Sequence, residues 1–349
     1  MINIDFASLR QIGLTQAIAN QLNQLDTPPA AARLVRVTEV HRDAAVVHDG
    51  TGQFRARSLP RDDGIAVGDW MLVERQAGDA YWLGARLEPI THLARRTADG
   101  RRQPLASNID TALLVMGLDH DFNLRRIERY LALVHAAGVA PVVVLTKADI
   151  AANAGERLDQ LRDRLPGNVP MYSVNGLGDE VRTVLAPWMG MGQTLILLGS
   201  SGAGKSTLTN TLSGGMQATG GVREDDSRGR HTTTARSLHL CAGGACIIDT
   251  PGLRSLQPDI DEEELAAAFE DIDALAGKCQ FRDCRHEAEP GCAVREVVDP
   301  DRVRNYHKLL REARRGQQTQ LDRIAERSKF KVLVKAVGAR NRAKKAGMG

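Results

Sequence analysis

The sequence predicts a multidomain α/β protein with an N-terminal OB-like β-barrel, a central α/β domain and a mainly helical C-terminal domain. Three observations predict this fold class. Short alternating apolar runs, separated by turns, fill residues 33–91, and strand and helix patterns alternate over 104–258. Three of the five cysteines crowd between Cys279 and Cys292. The 349 residues suffice for about two or three domains with a sizeable core.

Composition is typical of a soluble globular protein, but the charge is unevenly distributed. The formal net charge is +3, whereas the segment from Arg302 onward holds fifteen Lys or Arg against three acids. No apolar stretch approaches the roughly twenty residues of a membrane span, and residues 1–10 lack the basic-then-apolar start of a secretory signal. We therefore expect a cytoplasmic protein with no membrane partner, which is monomeric when free.

The N-terminal part divides into an extension and a barrel. Residues 1–32 contain a weakly amphipathic stretch that ends at Pro28 and Pro29, which predicts a loosely attached extension. A series of short strands follows and predicts a small barrel over 33–91. These strands are expected at 34–40, 44–48, 53–57, 70–74 and 81–87. An OB-like barrel is the commonest fit for a nucleic-acid partner, and an SH3-like barrel is a rival.

A basic segment leads from the barrel to the α/β domain. It carries five cationic side chains, which are His92, Arg95, Arg96, Arg101 and Arg102. Both a phosphate contact and a solvated linker are compatible with this composition. Buried strands at 110–116 and 141–145 then flank an amphipathic helix at 124–137, and this alternation is typical of a parallel sheet.

The stretch 194–207, TLILLGSSGAGKST, combines a buried strand, a glycine-rich loop and a helix start. It fits GxxxxGK[ST], the pattern whose backbone N–H groups and lysine bind nucleotide phosphates. Glycines allow the backbone to approach the phosphates, Lys205 neutralises their charge, and the Ser206 hydroxyl can complete a magnesium shell. The predicted phosphate-binding residues are Gly199, Ser200, Ser201, Gly202, Ala203, Gly204, Lys205, Ser206 and Thr207.

Two further loops are suited to reading a guanine base. The first comprises Thr146, Lys147, Ala148 and Asp149, at the carboxyl end of a strand, where α/β folds bind ligands. A carboxylate there can accept both the N1–H and the exocyclic amine of guanine, a contact that adenine cannot supply. The lysine stem can lie along the base plane. The second loop, Ser173, Val174 and Asn175, can place a backbone N–H near the guanine O6.

Two segments downstream of the phosphate loop are predicted to sense the γ-phosphate. Asp249 ends a strand and can hold magnesium through water, and the Gly252 amide can meet the γ-phosphate. The polar, glycine-rich segment 220–234 ends in GRHTTT, where one of Thr232 to Thr234, with Thr233 preferred, is predicted to coordinate magnesium in the triphosphate state. We expect this segment to order and disorder with the nucleotide.

The order of these motifs is unusual. TKAD precedes the phosphate loop, whereas in ordinary small GTPases the phosphate loop comes first. The sequence thus predicts a circularly permuted P-loop GTPase domain over 104–258, which is feasible because the termini of compact domains often lie close together. The segment after Asp249 then leads directly into a C-terminal domain, 259–349, on which nucleotide-dependent movement can pull.

The C-terminal domain carries a compact set of potential metal ligands. Cys279, Cys284, His286 and Cys292 form C-x4-C-x-H-x5-C. Three thiolates and one imidazole favour zinc and leave no open coordination position, so the predicted ion is structural. Helices are expected at 261–275 and from Asp299 onward, and the basic tail fits either a solvated segment or an RNA backbone partner.

Taken together, the barrel, TKAD before GSSGAGKST, GRHTTT, DTPG and the Cys/His pattern resemble the ribosome small-subunit-dependent GTPase A family. The resemblance covers nearly the whole chain. It implies an OB domain, a permuted GTPase domain that binds GTP and GDP with magnesium, and a zinc-binding domain. It also implies a subunit-stimulated GTP hydrolase that acts in late maturation of the small ribosomal subunit and binds rRNA. Thr146 stands where Asn is usual, which weakens any argument that this residue braces the loop.

The catalytic residues follow from what the switch region lacks. Leu253 stands after DTPG where Ras-like enzymes carry a water-orienting Gln, so we expect a slow unassisted rate. His231, beside the switch threonines, is the candidate to orient or deprotonate the attacking water, although packing or RNA binding are alternatives for it. The predicted catalytic set is His231, Lys205 and Thr233.

Two other classes of function fit parts of the sequence. A zinc-containing RNA-binding module, in which nucleotide binding is only regulatory, predicts that a Lys205→Ala variant acts normally. A metabolite kinase predicts use of ATP and phosphate transfer, and the TKAD loop argues against it.

Overall fold

The computed structural model describes residues 5–24, 32–58, 64–76, 80–97, 101–214, 236–241, 243–250 and 257–317. These residues form a β-barrel, an α/β sheet and a C-terminal group of helices. Among them, no helix is both long and apolar enough to cross a membrane.

Two short helices, α1 (Phe6–Gln11) and α2 (Gln16–Leu22), precede the barrel. Side-chain oxygens of Asp5 and Thr15 cap them by accepting backbone N–H groups. Their apolar side chains pack against the barrel in one buried cluster, which includes Leu9, Ile12, Ile18, Leu34, Trp70 and Leu72. The expectation of a loosely attached extension is therefore wrong for 5–24, because these helices share a buried apolar cluster with the barrel.

The barrel consists of β1 (Arg33–Val40), β2 (Ala44–His48), β3 (Gln53–Arg57), β4 (Trp70–Arg75) and β5 (Tyr81–Arg86). β1 pairs with both β2 and β4, β2 pairs with β3, and β4 pairs with β5. β3 and β5 run parallel and close the barrel. This five-stranded order, with its one parallel pair, confirms the OB-like barrel.

The basic segment after the barrel is a β-hairpin rather than a linker. Its strands are β6 (His92–Arg96) and β7 (Arg102–Ser107). Arg96 and Arg102 contact the two carboxylate oxygens of Asp259 at 2.7 and 2.9 Å. The hairpin thereby engages the start of the C-terminal region, a contact that the composition of the segment does not reveal.

The α/β domain follows the predicted alternation. Its elements are β8 (Thr111–Gly117), α3 (Leu124–Ala136), β9 (Ala140–Thr146), α4 (Ala154–Arg162), β10 (Met171–Ser173), α5 (Glu180–Leu185), a 3-10 turn (Ala186–Trp188), β11 (Thr194–Leu198), α6 (Lys205–Ser213), β12 (Ser237–Leu240) and β13 (Cys246–Asp249). The strand order is β10-β9-β8-β11-β13-β12, and only β12 runs antiparallel to its neighbour in this domain. β8 and β11 are buried along their whole length because helices cover both faces of the sheet.

The C-terminal region begins with β14 (Gln257–Pro258), which adds to the hairpin. Its helices are α7 (Glu262–Ala268), α8 (Glu270–Ala276), α9 (Ala293–Val297) and α10 (Pro300–Gln317). The single helix expected at 261–275 is divided at Phe269, whose backbone leaves the helical conformation. Asp261 and Glu264 form a capping box at the start of α7.

A buried arginine joins the barrel to its neighbours. Arg36 has no exposed surface, and it donates to the carbonyl oxygens of Ile12 (2.5 Å) and Asn108 (2.9 Å). Burial lowers the pKa of this guanidinium, and nearby Cys246 and Asp110 oppose the shift. One side chain thus ties the N-terminal helices, the barrel and the segment leading into β8 together.

A cluster of ion pairs around the buried Glu128 and Arg302 holds the C-terminal helices against α3. We call this cluster the junction network: Glu128, Arg164, Asp271, Asp301, Arg302 and Asn305. Glu128 is only 1% exposed and accepts from Arg164 Nε and Arg302 Nη1, both at 2.7 Å. Arg302 also donates to both oxygens of Asp271 at 2.6 and 2.8 Å. The C-terminal helices are therefore fixed on the α/β domain by ion pairs that desolvation makes sensitive to the loss of either partner.

Candidate functional site

The phosphate loop leaves β11 at the carboxyl edge of the sheet. Gly202 and Gly204 have φ of 84° and 93°, in the left-handed region that glycine favours. A Cβ on Gly199 would lie 2.4 Å from the Val115 carbonyl oxygen, so the loop can start here only against a residue without a side chain. The loop ends at Lys205, the first residue of α6.

Lys205 lies over this loop. Its Nζ donates to the carbonyl oxygens of Gly199 (3.0 Å) and Ser200 (2.8 Å). Burial lowers the pKa of the Lys205 ammonium, while Asp249 and Asp121 oppose the shift. Ser206 at the helix start is exposed, as is Ser201 in the loop, so both are accessible to a ligand.

Thr146 braces the phosphate loop. Its hydroxyl donates to the Ala203 carbonyl at 2.7 Å, and a Cβ on Gly204 would lie 3.1 Å from that hydroxyl oxygen. Threonine in place of the usual asparagine thus still braces the loop, because the shorter side chain reaches it where Gly204 allows close approach.

The two predicted guanine loops lie side by side. Val174 N–H donates to the Leu145 carbonyl (2.8 Å), and Ala148 N–H donates to the Val174 carbonyl (3.2 Å). Asp149 is exposed at this edge of the sheet. The Asn175 N–H donates to Glu180 (2.9 Å), and the Ser173 hydroxyl is buried without a hydrogen-bond partner.

Asp249 ends β13 beside Lys205 and is buried. Burial raises the pKa of its carboxyl group, whereas Lys205 and His239 oppose the shift. Its Oδ1 is buried without a hydrogen-bond partner. An orphaned carboxylate oxygen next to a phosphate-loop lysine fits a hydrated cation.

Three predicted site residues, His231, Thr233 and Gly252, lie outside the described residues. The structure instead adds two acids that the motifs did not indicate. Asp119 contacts Lys147 Nζ at 2.7 Å, and Asp121 accepts from the Ser200 hydroxyl at 2.5 Å. Both residues follow β8, a buried strand. Their position after the carboxyl end of that strand is the sequence signal that could have indicated them.

The Cys/His pattern forms one cluster. The ligand atoms of Cys279, Cys284, His286 and Cys292 all lie within 4.8 Å of one another. His286 Nδ1 is 3.6 and 3.4 Å from the sulfurs of Cys279 and Cys292, which are 4.0 Å apart. Tetrahedral zinc, with bonds of about 2.3 Å to sulfur and 2.0 Å to nitrogen, requires separations of about 3.5 to 3.8 Å. The residues present therefore fit a metal site with Nδ1 as the imidazole ligand.

A phosphate loop on β11 that follows the TKAD loop on β9, within one parallel sheet, defines a circularly permuted P-loop GTPase. A family model described as RsgA GTPase matches residues 87–259. The chain is 46% identical over 313 residues to the small ribosomal subunit biogenesis GTPase RsgA of Xanthomonas oryzae pv. oryzae (strain MAFF 311018), covering 85% of each chain. Its counterpart in Xanthomonas axonopodis pv. citri (strain 306) is 45% identical over 319 residues, with 85% of each chain covered. The chain belongs to the RsgA GTPase family and is a GTP hydrolase.

Solved structures agree on the fold. The crystal structure of YjeQ from Thermotoga maritima superposes with a TM-score of 0.59 at 23% identity, covering 81% of this chain and 98% of that one. YloQ, a circularly permuted GTPase, gives 0.56 at 22% identity, with 82% and 97% covered. The predicted permuted architecture is confirmed.

Proposed function

We propose that the protein hydrolyses GTP as an assembly factor in late maturation of the small ribosomal subunit, and that the subunit stimulates hydrolysis. The observation that carries this proposal is the 46% identity, over 85% of both chains, to a small ribosomal subunit biogenesis GTPase. The working compartment is then the cytoplasm, where the subunit is assembled.

The guanine base is read at the edge formed by β9 and β10. Asp149, exposed at this edge, accepts from the base, and the stem of Lys147 lies along it. The Thr146 bond to Ala203 keeps the guanine loop and the phosphate loop in fixed relation. The second loop, 173–175, contributes backbone groups near O6, although Glu180 already accepts the Asn175 N–H.

The phosphates bind over the loop 199–207. Lys205 Nζ exchanges its contacts with loop carbonyls for phosphate oxygens. Ser206 and Thr233 would hold the magnesium that accompanies GTP, and Asp249 would hold a magnesium-bound water through its otherwise unpaired Oδ1. Magnesium supplies charge neutralisation on the phosphate oxygens when bound.

Hydrolysis replaces the bond between the γ-phosphorus and the bridging oxygen with a bond to water. We assign orientation of that water, and acceptance of its proton, to His231, since Leu253 cannot do either. Lys205 neutralises the charge that develops on the oxygen bridging the β- and γ-phosphates. The Gly252 amide would contact the γ-phosphate, and Thr233 would serve as a magnesium ligand in the triphosphate state.

The ion at Cys279, Cys284, His286 and Cys292 is proposed to be zinc with a structural role. All four ligand positions come from protein side chains, which leaves none for a substrate. Its place between α8 and α9 lets it hold these short helices, which have little core of their own.

Ribosomal RNA is the proposed macromolecular partner. A cavity of about 600 Å³ beside the four potential metal ligands is rimmed by cationic side chains, which include Arg295, Arg304, Lys308 and Arg311. A barrel groove of about 590 Å³ adds Arg55, Arg57 and Trp82. Cationic rims with an aromatic face suit phosphate and base contacts.

The test compares hydrolysis of GTP and ATP by the full chain, with isolated small subunits added or omitted. We expect GTP hydrolysis that rises strongly with subunits and little use of ATP. An unchanged GTP rate on addition of subunits would remove the main support for the proposal. If Lys205→Ala supports subunit maturation normally, nucleotide binding is only regulatory and the RNA-binding alternative holds.

The same assay examines His231. His231→Ala is expected to bind GTP but to lose most of the stimulation by subunits. Undiminished stimulation in this variant would contradict its catalytic role and leave it to packing or RNA binding.

A further inference from the structure

The turn between β8 and α3, residues 118–123, contacts both the guanine loop and the phosphate loop. Gly117 makes its fold possible, since a Cβ there would lie 2.7 Å from Asp119 Oδ1 and 3.3 Å from Lys147 Nζ. The absent side chain thus leaves room for an acid and a lysine to meet over the end of β8.

Asp119 fixes the lysine of the guanine loop. Its Oδ2 lies 2.7 Å from Lys147 Nζ, while its Oδ1 accepts the Asp121 N–H at 3.0 Å. Lys147 has φ of 65°, an uncommon backbone conformation for a residue with a side chain. Burial opposes ionisation of Asp119, but the hydrogen bonds from Lys147 and Asp121 outweigh it and lower its pKa. The direction of the Lys147 side chain is therefore set from outside its own loop.

Asp121 fixes the phosphate loop. This carboxylate is 9% exposed and accepts from the Ser200 hydroxyl at 2.5 Å and from the Gly117 N–H at 3.2 Å. It also forms an ion pair with Arg126 in the first turn of α3. The base of the phosphate loop is thus bonded to a helix that does not follow it in sequence.

That helix carries the C-terminal region on its other side. Arg125 pairs with Asp301 and Arg129 with Glu312, and Glu128 is the centre of the junction network. One element, α3 with its preceding turn, therefore contacts both nucleotide loops and α10. This route is separate from the segment after Asp249.

We propose that Asp119 and Asp121 are positioning residues for GTP hydrolysis: Asp119 directs Lys147 toward the base, and Asp121 anchors the phosphate loop to α3. This inference rests on the proposed GTP site. Neither residue belongs to the motifs that predict the site, and both act through a residue that does.

The first test is a double-mutant cycle between Asp121 and Ser200, measured as steady-state GTP hydrolysis with small subunits. We expect Asp121→Ala and Ser200→Ala each to lower kcat/KM about tenfold, and the double variant to be no slower than the slower single variant, because the Ser200 hydroxyl acts through its contact with Asp121. Effects that multiply, or kcat/KM values equal to those of the parent chain, would overturn the role of Asp121.

Two further measurements distinguish a positioning role of Asp121 from a role in stability alone. Asp121→Asn keeps an acceptor for Ser200 and is expected to recover most of the lost kcat/KM, and thermal unfolding is followed in parallel. A lowered Tm with normal kcat/KM in the folded protein would assign Asp121 to stability only. If Asp121→Ala does not fold, Ser200→Ala and Asp121→Asn decide the question.

The second test is a cycle between Asp119 and Lys147, read as the Kd of a fluorescent GDP analogue. We expect Asp119→Ala to raise Kd about tenfold, and the double variant with Lys147→Ala to match Lys147→Ala alone. Unaltered GDP binding by Asp119→Ala would overturn its role.

Asp159→Asn is the matched control for both cycles. This acid is 67% exposed, and its ion-pair partner Arg162 lies on the same helix. The Asp159→Asn variant should leave both kcat/KM and the Kd for the GDP analogue unchanged. A parent chain that does not hydrolyse GTP would defeat the proposed function itself, whereas an active parent with unaffected variants defeats only the positioning roles.

Discussion

The nucleotide site and the junction network are both polar clusters beside the same sheet, yet they differ in how completely their groups are paired. In the nucleotide site, Asp249 Oδ1 is buried without a partner, and Asp149 and Ser206 are exposed. In the junction network, both oxygens of Glu128 are hydrogen-bonded, to Arg164, Arg302 and Asn305. Unpaired groups mark the surface that a ligand completes, whereas saturated groups mark a permanent contact.

The cluster of four potential metal ligands is a third case, because it is local in sequence and the zinc proposed for it would serve permanent structure. Removing the metal should give the largest effect, since a structural zinc contributes on the order of 10 kcal/mol to folding. We expect Cys284→Ser, or a chelator, to unfold the C-terminal helices while GDP binding persists. Metal content and limited proteolysis measure this, and Cys241→Ala, at a core cysteine outside the cluster, is the control. Resistance to protease after metal loss would mean that the junction network suffices alone.

Breaking the junction network should have the next largest effect. Glu128→Ala leaves Arg164 and Arg302 buried without their shared carboxylate, and we expect unfolding to be easier by about 3–5 kcal/mol. Urea unfolding measures the loss, with the exposed Glu156→Ala as control. If Glu128→Ala also weakened GDP binding by a similar free energy, the junction network and the nucleotide site would be energetically coupled.

Lowering the pH should reduce the stability that the junction network contributes. Burial opposes ionisation of Asp271, but hydrogen bonds from Arg302 outweigh it and lower its pKa; hydrogen bonds from Arg125 and Arg164 hold the pKa of Asp301 below its usual range. Their contribution is complete above about pH 4, near the unfolded pKa of Asp, and is lost as pH falls toward the lowered folded values. Urea unfolding across about pH 2 to 6 should show this decline in stability, and Asp301→Asn should make the pH dependence flatter. An unchanged pH profile in that variant would contradict the assignment.

The nucleotide site should show a pH dependence of stability opposite in sign to that of the junction network. Its effect on stability should be the smallest of those considered. Burial raises the pKa of Asp249, so its charge destabilises the folded chain as pH rises through that pKa. We expect Asp249→Asn to unfold no more easily than the parent chain, with a gain of up to about 1 kcal/mol, and to lose magnesium-dependent tightening of GTP. Calorimetry and nucleotide titration with and without magnesium measure the two effects. Lower stability would show that the carboxylate has a structural partner.

The motifs located most of the nucleotide site because its residues are contiguous. Thr146 to Asp149 and the phosphate loop each occupy one strand end, and the parallel sheet then places those ends at one edge. Asp119 and Asp121 were missed because no spacing rule links Asp119 to Lys147, 28 residues further on, or Asp121 to Ser200, 79 residues further on. The hairpin at 92–107 was missed because its arginines pair with Asp259, far along the chain.

The sequence by itself determined the permuted order, the phosphate loop, the barrel strands and the four potential metal ligands. Local patterns suffice for these, since period, turn glycines and ligand spacing are properties of short segments. Only the tertiary structure decided that the N-terminal helices pack against the barrel, that α3 carries the C-terminal helices, and that Glu128 and Arg302 meet across 174 residues. Such pairs arise from the packing of whole elements, because a buried charge is tolerated only where folding brings its partner to it.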